Sequence, residues 1–292
     1  MITHAMTVDV EDYYQVAAFA DVVKPEEWSQ WPSRVVPNTE KLLDLFAEQN
    51  LQITFFILGW VAERHPELVR KIQAGGHEIA SHGYSHKFVY SQTPDVFREE
   101  TRKSKQILED ITGERVLGYR AASYSITQKS LWALDILAEL GFTWDSSIFP
   151  THHDNYGIPG SPEVPYRLIT AHGELTEFPL TTAKIGRFAV PAAGGGYFRQ
   201  YPYFLSKWLF DRASEHGQKP QIFYLHPWEI DPDQPRIPNA RWFSRFRHYT
   251  NLARTEPRLR AMLSDFKFGT LSESLASVSI EKTLDLSQLA AR

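Results

Sequence analysis

Two histidines four residues apart, His82 and His86, close the run GGHEIASHGYSH (Gly75 to His86) in a 292-residue chain that has no cysteine. Imidazoles at i and i+4 share one face of a helix, and on a loop bent by Gly83 they can wrap around one ion. Two neutral imidazoles and one carboxylate bind zinc with coordination positions left open, as hydrolytic sites do. Candidates for the carboxylate are Asp9, Glu11 and Asp12, three acids in four residues that repel one another unless a cation offsets them. Arg120 could hold a carboxylate such as Asp9 in place and keep it ionised. Asp145 and His226 have the residue types of a base and its orienter, the carboxylate fixing the imidazole tautomer. His77 opens a strand and is expected to hydrogen-bond a backbone carbonyl.

These side chains lie far apart in the chain, so a fold must gather them. Residues 5–10 read as a strand ending in acids, and 52–58 (QITFFIL) as an apolar run suited to a strand buried on both faces of a parallel sheet. Strands are also expected at 77–81, 117–121, 142–145 and 220–226. Helical spacing marks 39–49, with Asn38 or Thr39 as cap, and 66–74, 93–112, 130–140, 202–216 and 239–266. Strand alternates with helix at least four times through short links, which predicts an α/β fold with parallel strands and helical crossovers. In such folds catalytic groups sit at the C-terminal ends of strands, where every candidate above falls. Residues 150–200 are rich in Pro and Gly and read as a long insertion in one domain covering 1–270. Residues 271–292 read as a polar C-terminal tail. The segment 192–200 is either a mobile lid or a tight turn beside the sheet.

Bulk composition narrows the function. Apolar residues make up 42% and charged residues 23%, which is globular. The net charge of −4 gives no expectation of a nucleic-acid or anionic-membrane partner. Without cysteine, any transition-metal site must use His, Asp or Glu. No signal peptide is read at the N-terminus and no membrane span anywhere, so a cytoplasmic location is expected. Aromatics at 13% suit sugar stacking as well as an ordinary core.

Five ordered motifs resemble those of the carbohydrate esterase family 4 polysaccharide deacetylases: TVDVED (Thr7 to Asp12), SHGYSH (Ser81 to His86), YRAASYS (Tyr119 to Ser125), WDSSIF (Trp144 to Phe149) and YLHPWE (Tyr224 to Glu229). The long gap between the first two resembles the branch with peptidoglycan deacetylases and allantoinase-like enzymes. GGGYFRQYP and YLHPWEIDPDQPR look like the exosortase and exopolysaccharide-associated deacetylases. The resemblance implies a distorted (β/α)7 barrel and one divalent ion, zinc by default with cobalt or nickel able to use the same ligands. It implies that His82 and His86 bind the ion with Glu11 or Asp12, a choice the sequence leaves open. It further implies Asp9 as general base held by Arg120, and His226 as general acid oriented by Asp145. The oxyanion donor would lie near Ser123, where Ala122 stands in place of the usual proline. Tyr84, Tyr124, Trp144, Tyr197 and Trp228 are candidates for sugar contact. The implied reaction is removal of N-acetyl groups from hexosamine units of an exopolysaccharide or its precursor. The alternatives are cyclic-amide hydrolysis of the allantoinase type and non-catalytic saccharide binding. The glycan partner, met in the cytoplasm, on a lipid carrier at the membrane periphery or after export, is not named by the sequence. Homo-oligomers are permitted by the resemblance.

Overall fold

The computed structural model describes residues 2–153 and 156–290; the last two residues of the tail, and 154 and 155 of the expected insertion, lie outside the described residues. In chain order the strands are β1 (His4–Val10), β2 (Thr54–Ile57), β3 (Glu78–Ser81), β4 (Gly118–Tyr119), β5 (Trp144–Asp145), β6 (Tyr166–Thr170), β7 (Gly173–Glu177), β8 (Thr182–Ile185), β9 (Phe188–Pro191), β10 (Ile222–Leu225), β11 (Phe268–Gly269) and β12 (Thr283–Asp285). The helices are α1 (Val35–Glu48), α2 (Gly59–Arg64), α3 (Pro66–Ala74), α4 (Pro94–Thr112), α5 (Trp132–Glu139), α6 (Gly195–Gln200), α7 (Tyr203–Ala213), α8 (Trp242–Tyr249), α9 (Leu252–Asp265), α10 (Leu271–Ala276) and α11 (Leu286–Ala290).

The main sheet runs β10-β1-β2-β3-β4-β5-β7-β6-β12. Each neighbouring pair from β10 to β7 is parallel. The apolar run in β2 is buried at every position, as expected for a strand covered on both faces. Beyond β5 the sheet curls back towards β10 through irregular segments: Leu180 N–H donates to the Ile148 carbonyl at 2.9 Å, Thr181 Oγ1 to the Ile222 carbonyl at 2.7 Å, and Tyr224 N–H to the Ala193 carbonyl at 2.7 Å. This is the α/β architecture of a distorted barrel. Its helices are set by local signals such as those of α4, where Thr93 Oγ1 accepts from Val96 N–H at 3.3 Å and Gly113 stops the helix at φ +70°.

Three segments differ from the sequence expectation. The helix expected from 39 starts at Val35, because the carboxylate of the distant Asp12 accepts from Arg34 N–H at 2.9 Å and Val35 N–H at 3.2 Å. The stretch 150–200 holds the hairpin β6–β7, which joins the main sheet, and the hairpin β8–β9. The polar tail is anchored: β12 pairs with β6, and Leu271, Leu284 and Leu289 are buried. Three leucines spread among polar residues are too sparse to register as a pattern but enough to dock short elements.

Beneath the barrel rim lies a buried pair of acids. Asp145 and Glu177 are register partners on β5 and β7, both fully buried, and one oxygen of each has no hydrogen-bond partner. Burial pushes both carboxyls above their usual range, and the mutual repulsion raises Glu177 further. A raised carboxyl pKa stabilises the fold below the unfolded pKa and loses that contribution as pH rises through the folded one. Glu177→Gln should therefore raise the melting temperature at pH 8 by about 5 °C and much less at pH 5, since its amide can donate to Asp145. Melts at the two pH values check this; an equal shift at both would refute the raised Glu177 pKa.

Candidate active site

The C-terminal ends of β1, β3, β4 and β10 converge on a cavity of about 430 Å³. Glu11 from β1 meets His82 and His86 from the loop after β3, with ligand-capable atoms within 4.8 Å of one another. His82 Nδ1–H donates to the Arg120 carbonyl at 2.9 Å, which fixes the tautomer and leaves Nε2 as its ligating nitrogen. Burial lowers the His82 pKa to about 4, so the ring is neutral as a ligand must be. His86 takes a left-handed backbone (φ +53°) that turns its ring towards Glu11. Its Nε2 lies 2.6 Å from Glu11 Oε2, yet that buried oxygen has no aligned hydrogen-bond partner. Two imidazole nitrogens and a carboxylate oxygen in that relation are a donor set for a divalent ion. Burial alone would raise the Glu11 pKa, but His86, His226 and His82 overcome it and bring it to about 2.

Asp12, the other candidate ligand, is spent elsewhere. It accepts from Ser33 Oγ at 2.7 Å as well as from the two N–H groups that open α1. Glu11 and Asp12 are adjacent and point apart, so only one can face the histidines.

Asp9 sits beside this cluster. Arg120, with no exposed surface, donates to Asp9 Oδ1 at 2.7 Å and to Thr7 Oγ1 at 2.8 Å, and is itself fixed by Ser146 Oγ at 3.0 Å and the Ser146 carbonyl at 3.2 Å. The other oxygen, Oδ2, faces Tyr124 Oη at 3.3 Å and His226 Nε2 at 4.0 Å. Ser123 and Tyr124 both hold positive φ, +51° and +56°, a costly conformation for two successive non-glycine residues and one that clusters at working sites.

The orienter of His226 is not Asp145. Asp145 accepts from Ser147 Oγ at 2.6 Å and shares its burial with Glu177. His226 Nδ1–H instead donates to Glu229 Oε1 at 2.8 Å, and the other Glu229 oxygen receives Arg199 Nε at 2.6 Å. Arg199 Nη1 then binds the carbonyls of Arg247, His248 and Thr250, where the helix expected over 239–266 breaks between α8 and α9 at Asn251 (φ +58°). Burial disfavours the imidazolium, but Glu11, Glu229 and Asp9 outweigh it and raise the His226 pKa to about 9.

The sugar-contact candidates divide. Tyr124, Tyr197 and Trp228 line the cavity with Ser123, whereas Tyr84 and Trp144 do not. Trp144 lies so close over Gly118 that a Cβ there would sit 1.9 Å from its ring. Trp228 is buried, stacks on His226 and His248, and donates its indole N–H to Glu11 Oε1 at 3.3 Å, so it holds the site together as well as lining it. His77 accepts from a backbone N–H, that of Ile53 at 3.2 Å, rather than binding a carbonyl, and has no part in the site. The segment 192–200 is no free lid: Gly194 (φ +119°) pairs with Tyr224, a Cβ there would lie 2.1 Å from the Tyr224 carbonyl, and 195–200 is α6.

Residues 29–144, which include the histidine pair and Arg120, match the polysaccharide deacetylase family model. Over that stretch the chain is similar to polysaccharide deacetylases. Residues 146–276, which supply His226, Glu229, Arg199 and α8, match a domain of unknown function, DUF3473. Over 114 residues the chain is 31% identical to a peptidoglycan deacetylase of Helicobacter pylori, covering 39% of this chain and 37% of that protein. Over 114 residues it is 25% identical to a chitooligosaccharide deacetylase of Rhizobium leguminosarum bv. trifolii, covering 39% and 49%. The chain spans about a quarter to a half of the length of the curated relatives it matches. The crystal structure of a Mycobacterium smegmatis protein assigned as a polysaccharide deacetylase has the same fold, with a TM-score of 0.57, 22% identity and coverage of 99% of this chain and 88% of that one. Deacetylases of this family depend on a metal ion, and Glu11, His82 and His86 form a fitting donor set.

Glu229 and Arg199 were missed by sequence reasoning. Glu229 had a signal, since an acid three residues after a histidine opening a short helix can reach back to it (P-W-E after His226). Arg199 had none, because its partners are 30 and about 50 residues away.

Proposed function

We infer that this protein hydrolyses the N-acetyl group of a hexosamine unit in an exopolysaccharide or its precursor. The observation that carries the reading is the meeting of Glu11, His82 and His86 from two separate strand ends, directly beside Asp9–Arg120 and His226. Glu11, His82 and His86 would hold a divalent ion, zinc by the chemistry of the donors, and the ion would supply a Lewis acid for the acetamide carbonyl and lower the pKa of water. Asp9 Oδ2 accepts the proton of the attacking water, its other oxygen being pinned by Arg120. The water oxygen bonds to the carbonyl carbon, and the backbone at Ser123 offers an N–H to the resulting oxyanion. His226, protonated at neutral pH, gives its Nε2 proton to the sugar nitrogen as the C–N bond breaks, yielding acetate and a free amine. Tyr124, its pKa raised by burial, stays protonated at the cavity wall, and Tyr156 and Tyr197, joined through their hydroxyls at 3.0 Å, form an aromatic wall for the sugar.

The test is acetate release from N-acetylated chitooligosaccharides and peptidoglycan fragments, before and after dipicolinate. Chelation should lower turnover by at least about a hundredfold, and added zinc or cobalt should restore it. Turnover indifferent to the chelator would overturn the metal assignment. Hydrolysis of a cyclic ureide with no acetate from any glycan would overturn the substrate class.

A further inference from the structure

The net charge conceals a strongly basic segment. Between Asp233 and Glu256 the chain has no acid and five arginines: Arg236, Arg241, Arg245, Arg247 and Arg254. Its centre is α8, whose outward side carries three aromatic rings in water: Trp242 is 77% exposed, Phe243 53% and Phe246 57%. At about 100° per residue these three share one arc, with Arg245 on one side and Arg247 on the other, while the buried His248 lies on the opposite side. Arg236 stacks over Tyr249 at 4.1 Å, which ties it to the end of the helix. Arg241 pairs with Asp21 at 3.1 Å, but both are mostly exposed and the pair is weak. The other four arginines have no carboxylate within ion-pair distance among the described residues.

We propose that α8 and the arginines around it dock this protein onto an anionic phospholipid surface. A helix with bulky rings on one arc and cations on its flanks lies in the plane of a membrane interface, rings at the boundary between headgroups and acyl chains and guanidinium groups at the phosphates. The occupant is set by charge and shape together. Five cations without an acid call for an anionic partner, and three large rings on a convex helix face call for an apolar layer to enter, which a bilayer interface supplies. Phe243 and Arg247 also line the cavity, so the docked helix brings the cavity mouth to headgroup level.

The test uses the full chain and vesicles, with no turnover measured, so it stands apart from the deacetylase reading. Co-sedimentation with phosphatidylglycerol–phosphatidylcholine vesicles should capture the protein, and pure phosphatidylcholine should capture far less. W242S/F246S should weaken capture at least about tenfold, and R236Q or R245Q about fivefold each, with melting curves confirming that each variant is folded. Three results would overturn the proposal: no capture by anionic vesicles, equal capture of W242S/F246S, or binding to soluble dextran sulfate with none to vesicles.

Discussion

Replacing Asp9 by asparagine lowers kcat/KM for acetate release by about 10³-fold. The amide cannot accept the proton from the attacking water, while Glu11, His82 and His86 are untouched and metal content should remain at one ion per chain. The same change costs stability. Arg120 is fully buried, and its charge is balanced by Asp9 Oδ1 at 2.7 Å; Thr7 and Ser146 supply hydrogen bonds but no charge. Leaving a buried guanidinium without its anion costs about 3 kcal/mol. The two effects separate in a kinetic assay at low temperature with a parallel urea melt. Wild-type turnover by a folded, metal-loaded Asp9→Asn protein would remove Asp9 from the role of base.

Glu229→Gln should have the second large effect, about a hundredfold in kcat/KM with a changed pH profile. His226 titrates near 9 because Glu11, Glu229 and Asp9 outweigh its burial. A general acid works below its pKa, so wild-type activity should persist to about pH 9 and fall above it. Removing the Glu229 charge lowers that pKa and moves the alkaline limb down by about one unit. The sign for stability is the same. A raised histidine pKa contributes fully below the unfolded value of 6.5 and loses its contribution as pH rises through about 9. The Glu229→Gln change would also leave the buried Arg199 without its carboxylate, a further cost of about 3 kcal/mol. Asp145→Asn is the control: Asp145 touches Ser147 and lies beside Glu177, so the limb should not move. If Asp145→Asn shifted the limb and Glu229→Gln did not, the orienter would be misassigned.

The resting state of the site follows from these networks. Four of the candidate groups are held by a partner elsewhere in the chain or in the next helical turn: Asp9 by Arg120, His82 by the Arg120 carbonyl, His226 by Glu229, and Glu11 by the Trp228 indole. The stretch matched by the deacetylase family model supplies the histidine pair and the arginine, whereas His226 and its supports come from the stretch matched by DUF3473. One pocket is therefore built by both halves of the chain.

Residue type and spacing were enough to single out Asp9, His82, His86, Arg120 and His226, because each stands at or just beyond the end of a short strand and chemistry of this kind needs few residue types. The alternation of strand and helix was equally plain, since buried parallel strands are continuous apolar runs and amphipathic helices repeat at 3.6 residues. What the chain alone could not decide were contests between neighbours and partners remote in sequence. Glu11 and Asp12 differ by one position, and only the turn after β1, with α1 capped by Asp12, shows which carboxylate faces the histidines. Asp145 and Glu229 are both acids near strand ends, and only the packing of β5 against β7 gives Asp145 to Glu177 and leaves His226 to Glu229. The outward aromatic arc of α8 has the spacing of a core face, because periodicity records that rings share a face and not whether that face meets protein or solvent. Sequence thus determined which chemistries were present; the relative placement of distant strands and helices, fixed by long-range packing, decided which groups share them.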